Sequence, residues 1–184
     1  YYSRSLSCHC EAAEQLYNNP LGMLGTVINA LALATSLRKM QVDTVVLSAI
    51  AMPEICQSFS QRATRSHMEA GRVVIFAGGT GNPFFTTDSA AALRAAEIGA
   101  EAIFKGTQVD GIYSADPKKD PDATRFDALT HQQVLERGLQ VMDVAAVAVA
   151  RENYIPIIVF SIHERGGFGQ IMAGGGRKTI VTEE

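Results

Sequence analysis

The chain has no surplus of positive charge. Its 16 lysines and arginines stand against 19 acidic residues, for a formal net charge of −3. That balance argues against a nucleic-acid partner, whose backbone is bound by neutralising phosphates. Cysteines number only three in 184 residues. So few, and odd in number, they give no disulfide framework and suit a reducing cytosol. No unbroken apolar run reaches the roughly 18 residues of a membrane span. The longest, Leu21 to Ala34, is interrupted by Thr26 and Asn29 and reads as a buried helix. No signal-peptide pattern opens the chain, and no internal repeat or low-complexity linker divides it. A hydrophobic fraction of 47% then predicts a soluble, cytoplasmic globular protein of one domain with a real core.

Two common nucleotide signatures are also missing. Gly79 and Gly81 are followed, where G-x-G-x-x-G needs a third glycine, by Phe84. No Gly-Lys-Ser/Thr follows the loop, so it is not a Walker A loop either. What stands there is GRVVIFAGGTGNPFFTTDSAAALRAAEIG, from Gly71 to Gly99. Val73 to Phe76 is a continuous apolar run, expected of a strand buried on both faces of a parallel sheet. Gly78, Gly79 and Gly81 break it, and Asn82-Pro83 favours an extended or turned backbone. Thr86 and Thr87 offer hydroxyls near a helix start, Asp88 suits the positive end of its dipole, and Gly99 is a C′ stop. Such a strand–loop–helix places an anionic ligand at the carboxyl end of a strand; a bare turn with no ligand is the competing reading.

Around this unit, strands alternate with helices. Helices are expected at Leu21–Met40 (starting at Asn18, Asn19 and Pro20), Pro53–Glu69, Thr130–Gly138 with a Thr130/Gln133 capping box, Asp143–Asn153 and Gly166–Ala173. Strands are expected at Val42–Ile50, Glu101–Gly106, Ile155–Ile162 and, at an edge, Lys178–Val181. Thr107 to Asp116 reads as a loop, Pro117 to Asp122 as an exposed charged turn, and Gly174–Gly176 as a flexible turn. The alternation predicts an α/β/α sandwich on a mostly parallel sheet. Residues 1–20 show no period. Cys8, His9 and Cys10 lie too close together to share one tetrahedral ion, and no second ligand pair follows. An exposed or poorly ordered lead-in is expected there, and no metal site.

Beyond pattern, the literal residues are informative. AGGTGNPFFTTDSAAALRAAEIGAEAIFKGTQVDGIYSADPKKDP, with GMLGTVINALAL before it and VMDVAAVAVAREN and IPIIVF after it, resembles bacterial uridylate kinase, of the amino acid kinase family. The likeness runs from about Leu21 to Val181. It implies an enzyme that transfers the γ-phosphate of ATP to UMP, with Mg²⁺ as cofactor, homohexameric assembly, UTP as inhibitor and a place in pyrimidine nucleotide synthesis. It further implies that Thr80, Gly81, Asn82, Pro83, Phe84, Phe85, Thr86 and Thr87 bind UMP. Asn19 stands where the family has an aspartate for the uridine nucleotide, and keeps a hydrogen-bonding amide without the charge. Thr107, Tyr113 and Asp116 are implied to contact ATP. Arg72 matches one arginine of the family's GTP effector site, while Val45 stands where another is usual.

Phosphoryl transfer asks mainly for positioning and charge neutralisation. Asp88 and Asp143 are the two candidate catalytic carboxylates. Each belongs to a strand-to-helix turn, and sheet topology is expected to bring them to one end of the sheet. On the residues alone, each also reads as a helix-start stabiliser worth roughly 0.5–2 kcal/mol. Lys105 is a strand lysine that either neutralises phosphate or ends its strand in solvent. The family's early lysine with a Ser-Gly-Glu loop, and its Gly-Gly-Gly-Asn loop, do not occur in these residues. Low kinase activity is therefore expected of the 184 residues alone, with UMP phosphorylation by a longer form. Two alternatives remain at this point: a non-catalytic nucleotide-binding or storage relative, and a kinase of the same fold acting on an amino acid or carbamate.

Overall fold

The computed structural model describes the backbone of residues 2–183 and the side chains of residues 20–183. The chain forms two compact units, Tyr1–Ala90 and Ala91–Glu184.

The first unit opens with helix α1 (Tyr2–Lys39). The helix expected from Leu21 thus begins at Tyr2, and Pro20, expected at its start, lies inside it. Proline removes one backbone donor but does not end the helix here. The preceding run Glu11 to Leu16 is rich in strong helix formers. The side chains of Cys8, His9, Cys10 and Asn19 lie outside the described residues. Val27, Ala30 and Ala34 face inward and pack with Val46, Cys56 and Ala77. Thr26 ties the helix down: its hydroxyl accepts from the Gly78 amide at 2.8 Å and donates to the Met23 carbonyl at 2.7 Å. The outer face leaves Leu21 and Ile28 each 68% exposed.

The stretch Leu21 to Ala34, expected as a buried helix, buries only its inner face and leaves Leu21, Leu24, Ile28 and Leu33 exposed. Pro20–Lys39, with a mean hydropathy of 1.5, is long and apolar enough to cross a membrane by length and composition. Thr26 and Asn29 interrupt the run but cost little in the average, and charge appears only at Arg38 and Lys39. Its inner face is nevertheless committed to the sheet of its own unit.

That sheet contains β1 (Thr44–Ser48), β2 (Gln57–Ser58) and β3 (Val73–Ala77), in the order β2-β1-β3, all parallel. The helix expected over Pro53–Glu69 is shorter. Ser60 is extended, with φ −151°, and its hydroxyl caps α2 (Gln61–Glu69) by accepting from Ala63 N. The residues before it spend their backbone on the sheet instead, as Phe59 N donates to Ser48 O at 2.8 Å. Strand β3 is less buried than its run of apolar residues suggests. Val73 is 42% exposed, Val74 to Phe76 are half-buried, and only Ala77 is buried.

Helix α3 (Thr87–Ile98) begins in the first unit and continues into the second; Gly99 ends it at φ +69° as expected. The second unit then holds β4 (Ile103–Thr107), β5 (Ile112–Tyr113), β6 (Arg125–Phe126), β7 (Ala128–Thr130), α4 (His131–Glu136), α5 (Val144–Glu152), β8 (Ile157–Ser161), α6 (Gly167–Met172) and β9 (Lys178–Thr182). Its main sheet has the order β4-β8-β9-β7. Pairing is parallel for β4/β8 and β7/β9 and antiparallel for β8/β9. Strand β9 is therefore not an edge strand: β7, unforeseen in the sequence, covers its outer side. Strands β5 and β6 form a short antiparallel hairpin in place of the expected loop. Ile103, Leu129, Ile157, Val159 and Val181 from the strands pack against Ala146, Val147 and Ala150 of α5. Both units are thus α/β, with parallel pairing throughout the first unit's sheet and in two of the three pairings of the second unit's main sheet. The capping box on α4 is present as read, with Thr130 and Gln133 exchanging backbone hydrogen bonds.

His131 is the buried titratable group of this core. Its Nε2 lies 3.1 Å from the Ile155 carbonyl. Burial pushes its pKa below the usual imidazole value, against the upward pull of the Ile155 carbonyl and the Glu183 charge. The folded state therefore disfavours the proton that the unfolded chain takes up near pH 6.5. This contribution to stability is complete above that pH and is lost as pH falls toward the lowered folded value. Urea unfolding from pH 7.5 to pH 5 is expected to show stability falling with pH, and falling less steeply in His131→Gln. An equal slope in the variant would assign the dependence to other groups.

Candidate active site

In the first unit, β3 runs into the loop Gly78–Thr86. Gly78 and Gly81 adopt φ +76° and +80°, a region open to glycine at little cost. Space also demands glycine. A Cβ on Gly78 would stand 3.1 Å from Ser48 Oγ and 3.2 Å from Ile50 N, and one on Gly81 would stand 3.2 Å from Ala49 O. The loop is thus pressed against the end of β1. Its far side is open: Asn82, Phe84, Phe85, Thr86 and Thr87 are exposed. Phe84 holds φ +71°, unusual for a bulky residue and found here at the loop's tip. Thr80 Oγ1 accepts from Asn82 N at 3.1 Å, and Thr86 Oγ1 accepts from Asp88 N at 3.1 Å and Ser89 N at 3.3 Å. Thr86 therefore caps α3, with Asp88, half-buried, in its first turn. The eight residues Thr80–Thr87, half-buried at Thr80, Gly81 and Pro83 and exposed at the other five, form a rim ending at a helix N-terminus, a setting suited to a phosphate.

Arg72 precedes β3 at the surface. Its Nε donates to Asp43 Oδ2 at 2.9 Å, and its Nη1 lies 3.0 Å from His67 Nδ1. It is a paired cation at the mouth of a strand.

In the second unit, a cavity of about 650 Å³ opens between the β4–β5 segment and the turn after α4. Thr107, Tyr113 and Asp116, singled out on the sequence for ATP, all line it. Thr107 Oγ1 donates to Val109 O at 2.7 Å and accepts from Val109 N at 3.0 Å, fixing the first bend. Asp116 Oδ1 accepts from Lys118 N at 3.0 Å and organises the Pro117–Asp122 turn. Tyr113 Oη donates to Asp110 Oδ1 at 2.7 Å. That bond, with burial and the Asp110 charge, raises the phenol pKa above its usual value. Burial pushes the Asp110 carboxyl up, but the bonds from Tyr113 and its own backbone, with Arg125 and Arg177, outweigh this and leave it lowered.

Sequence reasoning missed the far wall of this cavity, formed by Arg137, Gly138, Leu139, Gln140 and Val141. The available signal was position: this turn leads directly to Asp143. Lys105, which the sequence left undecided, also lines the cavity, beside Val159 of the paired strand. Asp143 lies two residues beyond Val141. It is the N-cap of α5, its Oδ1 accepting from Ala146 N at 2.7 Å. Among the described residues no group of three or more His, Cys, Asp or Glu is placed to hold a metal ion. A Mg²⁺ that arrives on nucleotide phosphates needs no such cage, only one or two carboxylates.

The family model described as "Amino acid kinase family" matches residues 4–161, most of both units and most of the first twenty residues as well. The chain belongs to the amino acid kinase family. Within it, the chain is similar to uridylate kinases of several bacteria. The chain is 75% identical over 180 residues to the uridylate kinase of Rhizobium meliloti (strain 1021), covering 98% of this chain and 75% of that protein. It is likewise 75% identical over 181 residues to that of Agrobacterium fabrum (strain C58 / ATCC 33970). Among solved structures, it resembles UMP kinase from Ureaplasma parvum with a TM-score of 0.86 and 39% identity, over 89% of this chain and 70% of that one. For UMP kinase from Bacillus anthracis the TM-score is 0.90 and the identity 31%, over 96% and 73%. The amino acid kinase fold thus agrees with the α/β class expected from strand–helix alternation.

Proposed function

We propose that this protein is an ATP-dependent UMP kinase, which transfers the γ-phosphoryl group of ATP to UMP to give UDP and ADP. The observation that carries the reading is the gathering of Thr107, Tyr113 and Asp116 along one nucleotide-sized cavity, in a chain 75% identical to uridylate kinases. ATP occupies that cavity, with Tyr113 beside the adenine and Thr107 and Asp116 as hydrogen-bonding partners. The UMP phosphate sits on the Thr80–Thr87 rim, and Asn19 serves the uridine nucleotide. A UMP phosphate oxygen attacks the γ-phosphorus, the bond to the ADP oxygen breaks, and no side chain becomes covalently attached. Because the nucleophile is already an anion, no general base is needed. Asp88 and Asp143 act by holding cations and orienting phosphates. Mg²⁺ supplies charge neutralisation on the donor phosphates, and Asp143 is the carboxylate we assign to its support.

The exposed apolar face of α1, with Leu21, Leu24, Ile28 and Leu33, is the surface through which a homohexamer would assemble. UTP is read as a competing occupant of the UMP site, Arg72 as the residue through which a GTP response would act, and the cytoplasm as the compartment. A coupled assay with the full-length protein, ATP and Mg²⁺ tests the core of this reading. UDP formation from UMP well above that from CMP, AMP, carbamate or amino acids is expected. No phosphoryl transfer, with nucleotide still bound, would favour a binding or storage role instead.

A further inference from the structure

Asp110 stands apart in its own segment. Every other residue from Thr107 to Asp116 lines the cavity, and Asp110 does not. Its side chain turns to Tyr113 instead, accepting from Oη at 2.7 Å. On its far side Arg177 Nη1 approaches Oδ2 at 3.5 Å. Arg177 projects from the turn between α6 and β9, the glycine-rich turn read from sequence as flexible. That turn is restrained: Lys178 Nζ donates to the carbonyls of Gly174 and Gly175, each at 2.7 Å. The next residue, Thr179, is fully buried and accepts from Ile112 N at 2.8 Å, between Asp110 and Tyr113. A chain of contacts therefore runs from the α6–β9 turn through Asp110 to one aromatic wall of the cavity.

We propose that Asp110 is a positioning residue for the donor nucleotide: anchored by Arg177, it holds the Tyr113 ring in the orientation that forms the adenine side of the cavity. This rests on the assignment of the cavity to ATP. Tyr113 has a hydroxyl, and without a partner it would leave a polar group seeking water at the nucleotide's edge. Asp110 satisfies that hydroxyl from outside the cavity and fixes the ring without itself touching the ligand.

The test is a double-mutant cycle on ATP affinity, read by titration of a fluorescent ATP analogue into the full-length protein. Asp110→Asn is expected to weaken binding about five- to tenfold, the loss typical of one charge-assisted hydrogen bond. Tyr113→Phe should do the same, and the double variant should be no worse than the more harmful single. The KM for UMP should stay within about twofold, as expected when one site is perturbed and the other left intact. Additive losses, or an unchanged affinity in Asp110→Asn, would overturn the proposal. Should Asp110→Asn fail to fold, Arg177→Gln at the exposed end of the chain of contacts replaces it, with a smaller loss of the same kind expected. Phenol absorbance adds a spectroscopic readout. The tyrosine missing from the Tyr113→Phe titration should ionise above the ordinary value in the unsubstituted protein, and nearer to it once Asp110 is replaced. Arg125 also faces this pair and stays constant throughout. Tyr113→Ala and Thr107→Ala separate the two ideas. If they leave ATP affinity unchanged, the cavity is not the ATP site and the proposal falls with it; if they weaken it while Asp110→Asn does not, only the positioning role falls.

Discussion

Replacing Asp143 by asparagine is expected to lower turnover about a hundredfold or more, the scale seen when one preorganised electrostatic group is lost from an active site. Stability should hardly change. Asp143 Oδ1 caps α5 through Ala146 N, and asparagine is as good an N-cap as aspartate, so the variant keeps that capping hydrogen bond while losing the charge. Asp88→Asn makes the parallel test on α3. The helix start there is capped by Thr86, so what the Asp88 charge gives the helix start is its dipole interaction, about 0.3–1 kcal/mol. Steady-state rates with ATP and UMP, beside thermal unfolding of the same samples, separate chemistry from folding. A large fall in kcat with an unchanged melting temperature marks these carboxylates as catalytic. If both variants turn over normally, they are helix-start residues and nothing more.

Gly111→Ala is the second substitution with a large expected effect, and it acts through crowding. A Cβ at this position would stand 2.5 Å from Thr179 Oγ1 and 3.0 Å from Arg125 Cδ. Arg125 is long, but its guanidinium is engaged with the Lys178 carbonyl and Asp127. Thr179 has no room to swing, being fully buried and bonded to both Ile112 N and the Phe126 carbonyl. The backbone between Asp110 and Tyr113 must therefore shift, at a cost of about 1–3 kcal/mol for an overpacked site. Because the same segment lines the cavity, ATP affinity should fall along with stability, while UMP binding to the first unit holds. Denaturant unfolding and separate nucleotide titrations check both halves. A fully stable Gly111→Ala protein with normal ATP binding would mean that the segment does not depend on this contact.

The parts legible in the sequence were those governed by local rules. The Thr130/Gln133 box, the Gly99 stop and the strand–glycine–helix order of Gly71 to Gly99 depend on neighbours within a few residues, and the structure has them as read. The Thr107–Asp116 segment was legible through its resemblance to uridylate kinases, and its three singled-out residues do meet on one cavity. What escaped was set by distant partners. The two-residue strand β2 exists because it pairs with β1, and its residues Gln57 and Ser58 carry no strand pattern of their own. Strand β9 looked like an edge because Ala128–Thr130 is too short to read as a strand. The apolar run of β3 suggested burial on both faces, yet the way its unit packs leaves Val73 in solvent. The Arg137–Val141 wall was missed for the same reason: only tertiary folding sets it opposite the β4–β5 segment.

In the proposed reaction two nucleotides would occupy two separate stretches of the chain, UMP on the glycine loop and ATP in the second-unit cavity. Hydrogen–deuterium exchange of the full-length protein, with UMP alone and then with ATP and Mg²⁺ alone, tests it most directly. UMP is expected to slow exchange across residues 78–89, and ATP across 105–116 and 137–141. Protection by UMP confined to the second unit, or by ATP confined to the glycine loop, would contradict the account.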